Sequence, residues 1–439
     1  MKTFLITIIF TGLAVYFART LEFLQFKPAR FRAFVSIALV SIILLSRPGI
    51  ALYLVIASVS FYDPRYWWGF LRLWLHQWII LFSIILFIGI RIYHRRKFPL
   101  YPLDFWLGAL VGTFLISTVN SPDIGMSVRW IIYFLILVGG YYLARLTVEN
   151  ERQLIRIIWF LIFCGAVSGV ISFFRPTVGT RVGSLVLSNP NALGNFLALI
   201  LPLPLAFLFH GRLSPGKTII SFLAIIPLTF SILLTLSRSS WVGCAVGVLA
   251  LGCFRPRFKY FLLVALGLLA VLLIPAVQNR IFQDKDDPGV TYRRTKITIA
   301  YEMFKEAPLL GRGPGSFQAL APEQDDWGVV AHSALENLYM RMLAEGGLLQ
   351  SAVFLGLIVY FSYLGWTTLQ SLPPGSLQAA VLGSLAAFWA SLGIGIGEDI
   401  LLFPMNNWLL GVYLAVIIKA REFTEINPPD GDPAPPEIL

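Results

Sequence analysis

Charge is what this sequence has least of. Only 13% of its residues are Asp, Glu, Lys or Arg, against 57% that are hydrophobic, and mean hydropathy is +0.77. A soluble globule carries about a quarter charged residues, so composition excludes that class and indicates a polytopic membrane protein. Cysteine is scarce too. Cys164, Cys244 and Cys253 all lie inside apolar runs with no Cys-x-x-Cys spacing, which reads as small buried packing residues rather than disulfides or a metal site. The alternating pattern of a β-barrel is missing, and an unclosed sheet would leave unpaired backbone groups in lipid, so helices are expected. The apolar runs also hold almost no Asp, Glu or Lys at their centres. An ion-driven transporter needs such groups at mid-membrane to meet its coupling ion. That pattern argues against a transporter, which stays the competing class, with a non-catalytic envelope scaffold as a third.

Long apolar runs make up most of the rest. Each span needs roughly 20 mostly apolar residues, at about 1.5 Å rise per residue across a core of about 30 Å. Candidate spans fall at about 4–18, 33–46, 48–61, 77–93, 105–119, 129–147, 154–174, 191–210, 218–236, 240–254, 259–277, 348–367, 377–396 and 401–419. The expected fold is an all-α integral membrane bundle of roughly 12–14 transmembrane helices with one large outer loop. The first apolar run, Phe4 to Ala18 behind Lys2, has no small-residue cleavage site after Arg19 and reads as a retained signal anchor. Arg47-Pro48-Gly49 makes 33–46 and 48–61 either a tight hairpin or one broken helix. The stretch from Tyr62 to His76 mixes Trp and Arg, as an interfacial segment does. The chain divides into N-terminal spans 1–104, core spans 105–277, a polar outer loop 278–347, C-terminal spans 348–419 and a Pro-rich acidic tail 420–439 that reads as disordered.

The net charge of +11 is spread through short loops between spans, which points to topology and lipid headgroups rather than nucleic acid. The loops Arg91 to Lys97, Arg145 to Arg156, Arg212 to Lys217 and Arg255 to Lys259 are basic and alternate with poorer ones. Placing the basic set in the cytoplasm puts the 278–334 island outside, together with the Arg238 end of its span. One loop runs the other way: Arg19, Lys27, Arg30 and Arg32 lie outside if all fourteen spans cross.

Polar chemistry is therefore crowded at one membrane face. Gly311-Arg312-Gly313-Pro314-Gly315 lacks the Lys-Ser/Thr and the preceding strand of a phosphate-cradling loop and reads as a rigid turn packing the outer loop onto the bundle. Asp284-Lys285-Asp286 matches the Asp-x-Asp of metal-dependent glycosyltransferases only formally, and no metal is expected. Glu398 and Asp399 sit in a short outer loop as a pair of carboxylates at this face.

In chain order, Asn120-Ser121-Pro122-Asp123, Ser188-Asn189-Pro190-Asn191, and Leu236-Ser237-Arg238-Ser239-Ser240-Trp241 at a span junction are followed by Arg293 with Arg294 beside it. Pro308-Leu309-Leu310-Gly311-x-Gly313 comes next, and then His332 ahead of a span near Gly346-Gly347. This order around one large loop resembles the O-antigen ligase/polymerase family over about residues 100–420. The resemblance implies a metal-independent, inverting glycosyltransferase without cofactor, at the periplasmic face of a bacterial inner membrane. Its donor would be a polyprenyl (undecaprenyl) diphosphate-linked glycan, and its acceptor a hydroxyl of lipid A-core, a growing glycan or a protein. Arg238 and Arg293 then stabilise the diphosphate leaving group. His332, the one histidine of the outer island, serves as base. Arg294, Arg312, Arg181 and Asp399 are the further substrate-binding candidates.

Overall fold

The computed structural model describes residues 39–61, 65–68, 71–93, 100–178, 181–183, 187, 189–255, 262, 266–267, 278, 288–324, 335–401 and 406–426. They form a bundle of apolar helices, and the chain is an all-α multi-pass membrane protein. Residues 39–46 are helical; Arg47 ends that helix, because Pro48 has no N–H to continue the ladder. A short turn of 3₁₀ helix at Pro48–Ile50 then leads into α1 (Ala51–Phe61), and residues 33–38 of the preceding run lie outside the described residues. The Trp- and Arg-rich stretch that follows is a two-stranded hairpin, β1 (Arg65–Trp68) with β2 (Leu71–Trp74), in register Arg65 to Trp74.

Next come α2 (Leu75–Tyr93), α3 (Pro102–Ser117), α4 (Ile124–Thr147) and α5 (Glu151–Ser172), and then a second small hairpin, β3 (Pro176–Val178) with β4 (Arg181–Val182). The Asn-Pro-Asn segment opens α6 (Pro190–Ile200). Asn189 Oδ1 caps it by accepting from the amide of Asn191 at 2.8 Å, and Pro190 takes the first helical position, where no N–H is needed. Pro202 then starts α7 (Pro202–His210) and divides that span. The chain continues through α8 (Pro215–Leu234), α9 (Arg238–Phe254), α10 (Pro288–Glu306), α11 (Ser316–Gln324), α12 (Leu338–Ser371), α13 (Ser376–Ile394) and α14 (Asn407–Ile426). Among the described residues, eight helical stretches are long and apolar enough to cross a membrane, while α1 and α9 are shorter apolar helices.

α13 runs through the middle of the bundle, buried along nearly its whole length against α9 and α7, and α14 lies along α4. The second contact is backbone-close. A Cβ on Gly140 would sit 2.2 Å from the carbonyl oxygen of Trp408, and one on Gly411 would sit 2.0 Å from that of Leu137. In lipid, where apolar burial alone favours no particular pairing, such small-residue contacts decide which helices pack.

The helix ends sort onto two faces. At one face Asn120 Nδ2 donates to the Gly311 carbonyl (3.0 Å), Ser127 Oγ to the Pro314 carbonyl (2.7 Å), and the amide of Leu338 to the Gly395 carbonyl (2.9 Å). At the other, Arg145 near the end of α4 pairs with Asp104 at the start of α3 at 2.9 Å, both side chains buried.

Candidate functional site

The site is built where α9, α10 and the first turn of α12 converge at the loop-rich face. α8 ends at Leu234, and the chain reverses through Leu236, whose φ of 50° is in the left-handed region. Ser237 and Arg238 then open α9. Serines fix this corner: Ser240 Oγ bonds Asn195 Oδ1 at 2.8 Å and Ser237 Oγ at 2.9 Å. Arg238 thus stands at the N-terminus of a membrane-depth helix with its side chain directed into a cavity of about 240 Å³.

Arg293 lines the same cavity from α10, so two arginines far apart in sequence face one space. Glu336 positions Arg293, accepting from its Nε at 3.0 Å, and its other oxygen lies 3.4 Å from Lys296 Nζ. Lys296 is only 1% exposed, so the carboxylate neutralises a buried cation as well as orienting Arg293. Val242, Ile297, Leu335 and Ile396 complete walls that are mostly apolar. The arrangement is a greasy recess with a concentrated positive charge, suited to an anionic group attached to an apolar stem.

Beside it runs a polar chain that sequence reasoning did not assemble. Arg181 Nε donates to the Thr235 carbonyl (2.7 Å), and its Nη2 donates to Asn191 Oδ1 (2.5 Å). Asn191 Nδ2 in turn donates to Glu398 Oε1 at 2.6 Å. Burial, reinforced by the negative charge of Glu336, pushes the Glu398 carboxyl up to about 7, against the lowering pull of Arg293 and the Asn191 bond. Asp399 faces away from this chain and accepts from Arg341 Nη1. Arg341 also bonds Glu345 at 2.9 Å, and its guanidinium lies 3.9 Å over the Trp130 ring. All three ionic groups are buried.

The glycine segment makes a backbone splice. α12 is broken at Gly347, where φ is +67° and a Cβ would meet the Leu309 carbonyl oxygen at 2.4 Å. A break strands helical N–H and C=O groups, and the segment 308–313 satisfies them. Arg312 and Gly313 amides donate to the carbonyls of Ala344 (3.0 Å) and Glu345 (2.8 Å), while Leu348 and Leu349 amides donate to those of Pro308 (2.8 Å) and Leu309 (3.1 Å). The Arg312 side chain pairs with Glu306, away from the cavity wall. Arg294 is exposed on α10 and likewise does not line the cavity. His332, Asp284 and Asp286 lie outside the described residues.

Residues 219–355 match the model of a family described as O-antigen ligase. That segment, about a third of the chain, is similar to the O-antigen ligase family. No curated protein matches the chain. The O-antigen ligase match takes in Arg238, Arg293, Glu336 and Arg341 and stops before Glu398 and Asp399. The matched segment therefore supplies both cavity arginines, while Arg181, Asn191 and Glu398 come from a strand, a helix and a loop outside it. No signal in one sequence joins Arg181, Asn191 and Glu398; their contact depends on how α6 packs beside α13.

Proposed function

We propose that the chain is an inverting, metal-independent glycosyltransferase that moves a glycan from a polyprenyl diphosphate carrier to an acceptor hydroxyl, working at the periplasmic face of a bacterial inner membrane. The observation that supports this reading is the meeting of Arg238 and Arg293 in one apolar-walled cavity. A lipid diphosphate has the matching chemistry: a dianion for the guanidinium groups and an isoprenoid stem for Val242, Ile297 and Ile396.

In the reaction, the acceptor oxygen forms a bond to the anomeric carbon from the side opposite the diphosphate. The anomeric C–O bond breaks, and its electron pair leaves on the diphosphate oxygen. Arg238 and Arg293 stabilise that growing charge, in a recess where low dielectric strengthens the interaction. Glu336 holds Arg293 through one of its five N–H donors. The acceptor proton passes to His332, which stands shortly before the wall residues Leu335 to Asn337 in the chain. One displacement inverts the anomeric centre. Of the other candidates, Arg181 supports the recess through Asn191 and Glu398, while Arg294 is exposed and Arg312 and Asp399 are paired with Glu306 and Arg341.

The test is transfer by purified protein in detergent, using a polyprenyl diphosphate-linked glycan with chelator present. Turnover that survives chelator and collapses in Arg238→Ala, Arg293→Ala and His332→Ala is the expected result. Variants that turn over like wild type would overturn the site. Presenting lipid A-core, free glycan and protein acceptors in parallel separates ligation, polymerisation and protein glycosylation.

A further inference from the structure

The loop after α13 brings a second carboxyl to the edge of the arginine recess. Ile396 and Gly397 line the cavity, and Glu398 is the next residue in the chain. Its amide donates to the Ile394 carbonyl at 3.0 Å, which fixes the backbone of this turn. Its Oε1 accepts from Asn191 Nδ2 at 2.6 Å, and Asn191 in turn accepts from Arg181 of β4. The other charges around it come from three elements. Arg293 of α10 and Glu336 ahead of α12 lie within electrostatic reach, as does Asp399 beside it, which is turned onto Arg341. Arg238 of α9 and Lys296 of α10 line the same cavity. Glu336 is shared between Arg293 at 3.0 Å and Lys296 at 3.4 Å. Arg293 is thus flanked by one carboxylate that touches it and one carboxyl that acts on it through space.

We infer that Glu398 is a positioning residue whose proton decides how firmly Arg293 holds the donor diphosphate. Neutral, it leaves the guanidinium to the ligand; ionised, it competes with the ligand for the same positive charge. The inference rests on the reading of the recess as a diphosphate site. Burial and the charge of Glu336 already favour the neutral form, with the carboxyl pushed up to about 7. A bound dianion adds negative charge to the same space and favours that form further. Binding therefore takes up a proton from solvent wherever Glu398 is ionised in the empty recess. By reciprocity, donor affinity falls as pH rises through about 7 and Glu398 loses its proton. One like charge across a partly buried site shifts a binding constant by about tenfold.

The experiment is isothermal titration calorimetry of the full chain in detergent, with farnesyl diphosphate-linked N-acetylglucosamine as probe and no acceptor. Both phosphates of this probe are esterified, so it lacks the phosphate proton that titrates near neutrality. Wild type is expected to bind about tenfold more weakly at about pH 8 than at about pH 6. In buffers of different ionisation enthalpy it should take up a fraction of a proton at about pH 7.5. Glu398→Gln keeps the Oε1 acceptor for Asn191 and mimics the neutral acid, so it should hold the low-pH affinity at both pH values. A wild-type affinity that does not change with pH overturns the inference and leaves the diphosphate reading standing. An equal fall in Glu398→Gln also overturns it, because the proton then resides on another group such as His332. Failure of wild type to bind the probe at any pH overturns the diphosphate reading and this inference with it.

Discussion

Arg341→Ala is the sharpest test of how the cavity-bearing turn is held. Arg341 is fully buried and faces two carboxylates, Glu345 at 2.9 Å and Asp399, under the ring of Trp130. Removing one partner of a buried ion pair costs about 3–5 kcal/mol, because the remaining charge keeps its desolvation penalty. Loss of the desolvated cation–π contact adds about 2 kcal/mol, for a total of roughly 5–7 kcal/mol. The melting entropy of a 439-residue chain scales to about 0.9 kcal/mol/K, so the midpoint should drop by about 5–8 °C. Helices that remain in detergent melt with less entropy, which makes this a lower bound. The assay is a heating series followed by fluorescence-detected size exclusion. Arg341→Met combined with Glu345→Gln and Asp399→Asn should recover most of the loss, since amides need no counter-charge. A single variant melting within about 1 °C of wild type, or a triple variant no better than the single, would refute the reasoning.

The raised carboxyl of Glu398 gives a pH dependence with a definite sign. Because the folded state holds its proton more tightly than the unfolded state, this group favours folding below about pH 4.5, and that contribution is lost as pH rises through about 7. Glu398→Gln should flatten the decline in melting temperature between pH 5 and 7.5; an identical slope in both proteins counts against the assignment. Gly347→Ala forces an L-residue into φ +67° at about 1–2 kcal/mol and drives a Cβ onto the Leu309 carbonyl. Limited proteolysis should then cut within 308–315 faster than in wild type, and unchanged cutting would mean the splice is dispensable.

Membrane class and most span positions were legible, because about 20 apolar residues leave a mark that no tertiary context erases. The ends were less so. Hydropathy starts the span before α13 near residue 348, which coincides with the break at Gly347, but it does not show the helical piece from Leu338 that precedes the break, since Arg341 and Glu345 read as surface charges until their partners are seen. The hairpin at 65–74 was hidden for a related reason: alternating Trp and Arg suits an interface in either conformation. Motif order singles out Arg238 and Arg293 in the sequence, and the fold adds that both line one cavity. Arg294 and Arg312 have the same chemistry as those two, but helix phase and the Glu306 pair direct them elsewhere. Lys296 and Glu336 gave no sequence signal as a pair, because they are 40 residues apart, on either side of the glycine segment and α11.

The break in α12 also acts as a ruler. Uninterrupted, its 34 residues would reach about 51 Å, well beyond a hydrocarbon core of about 30 Å. Cut at Gly347, the portion from 348 onward measures about 36 Å, close to one crossing, and the portion before it is left at the height of the headgroups. Since that upper piece carries Arg341 and begins beside the cavity wall, a single glycine marks where the crossing ends and the layer that bears the cavity begins.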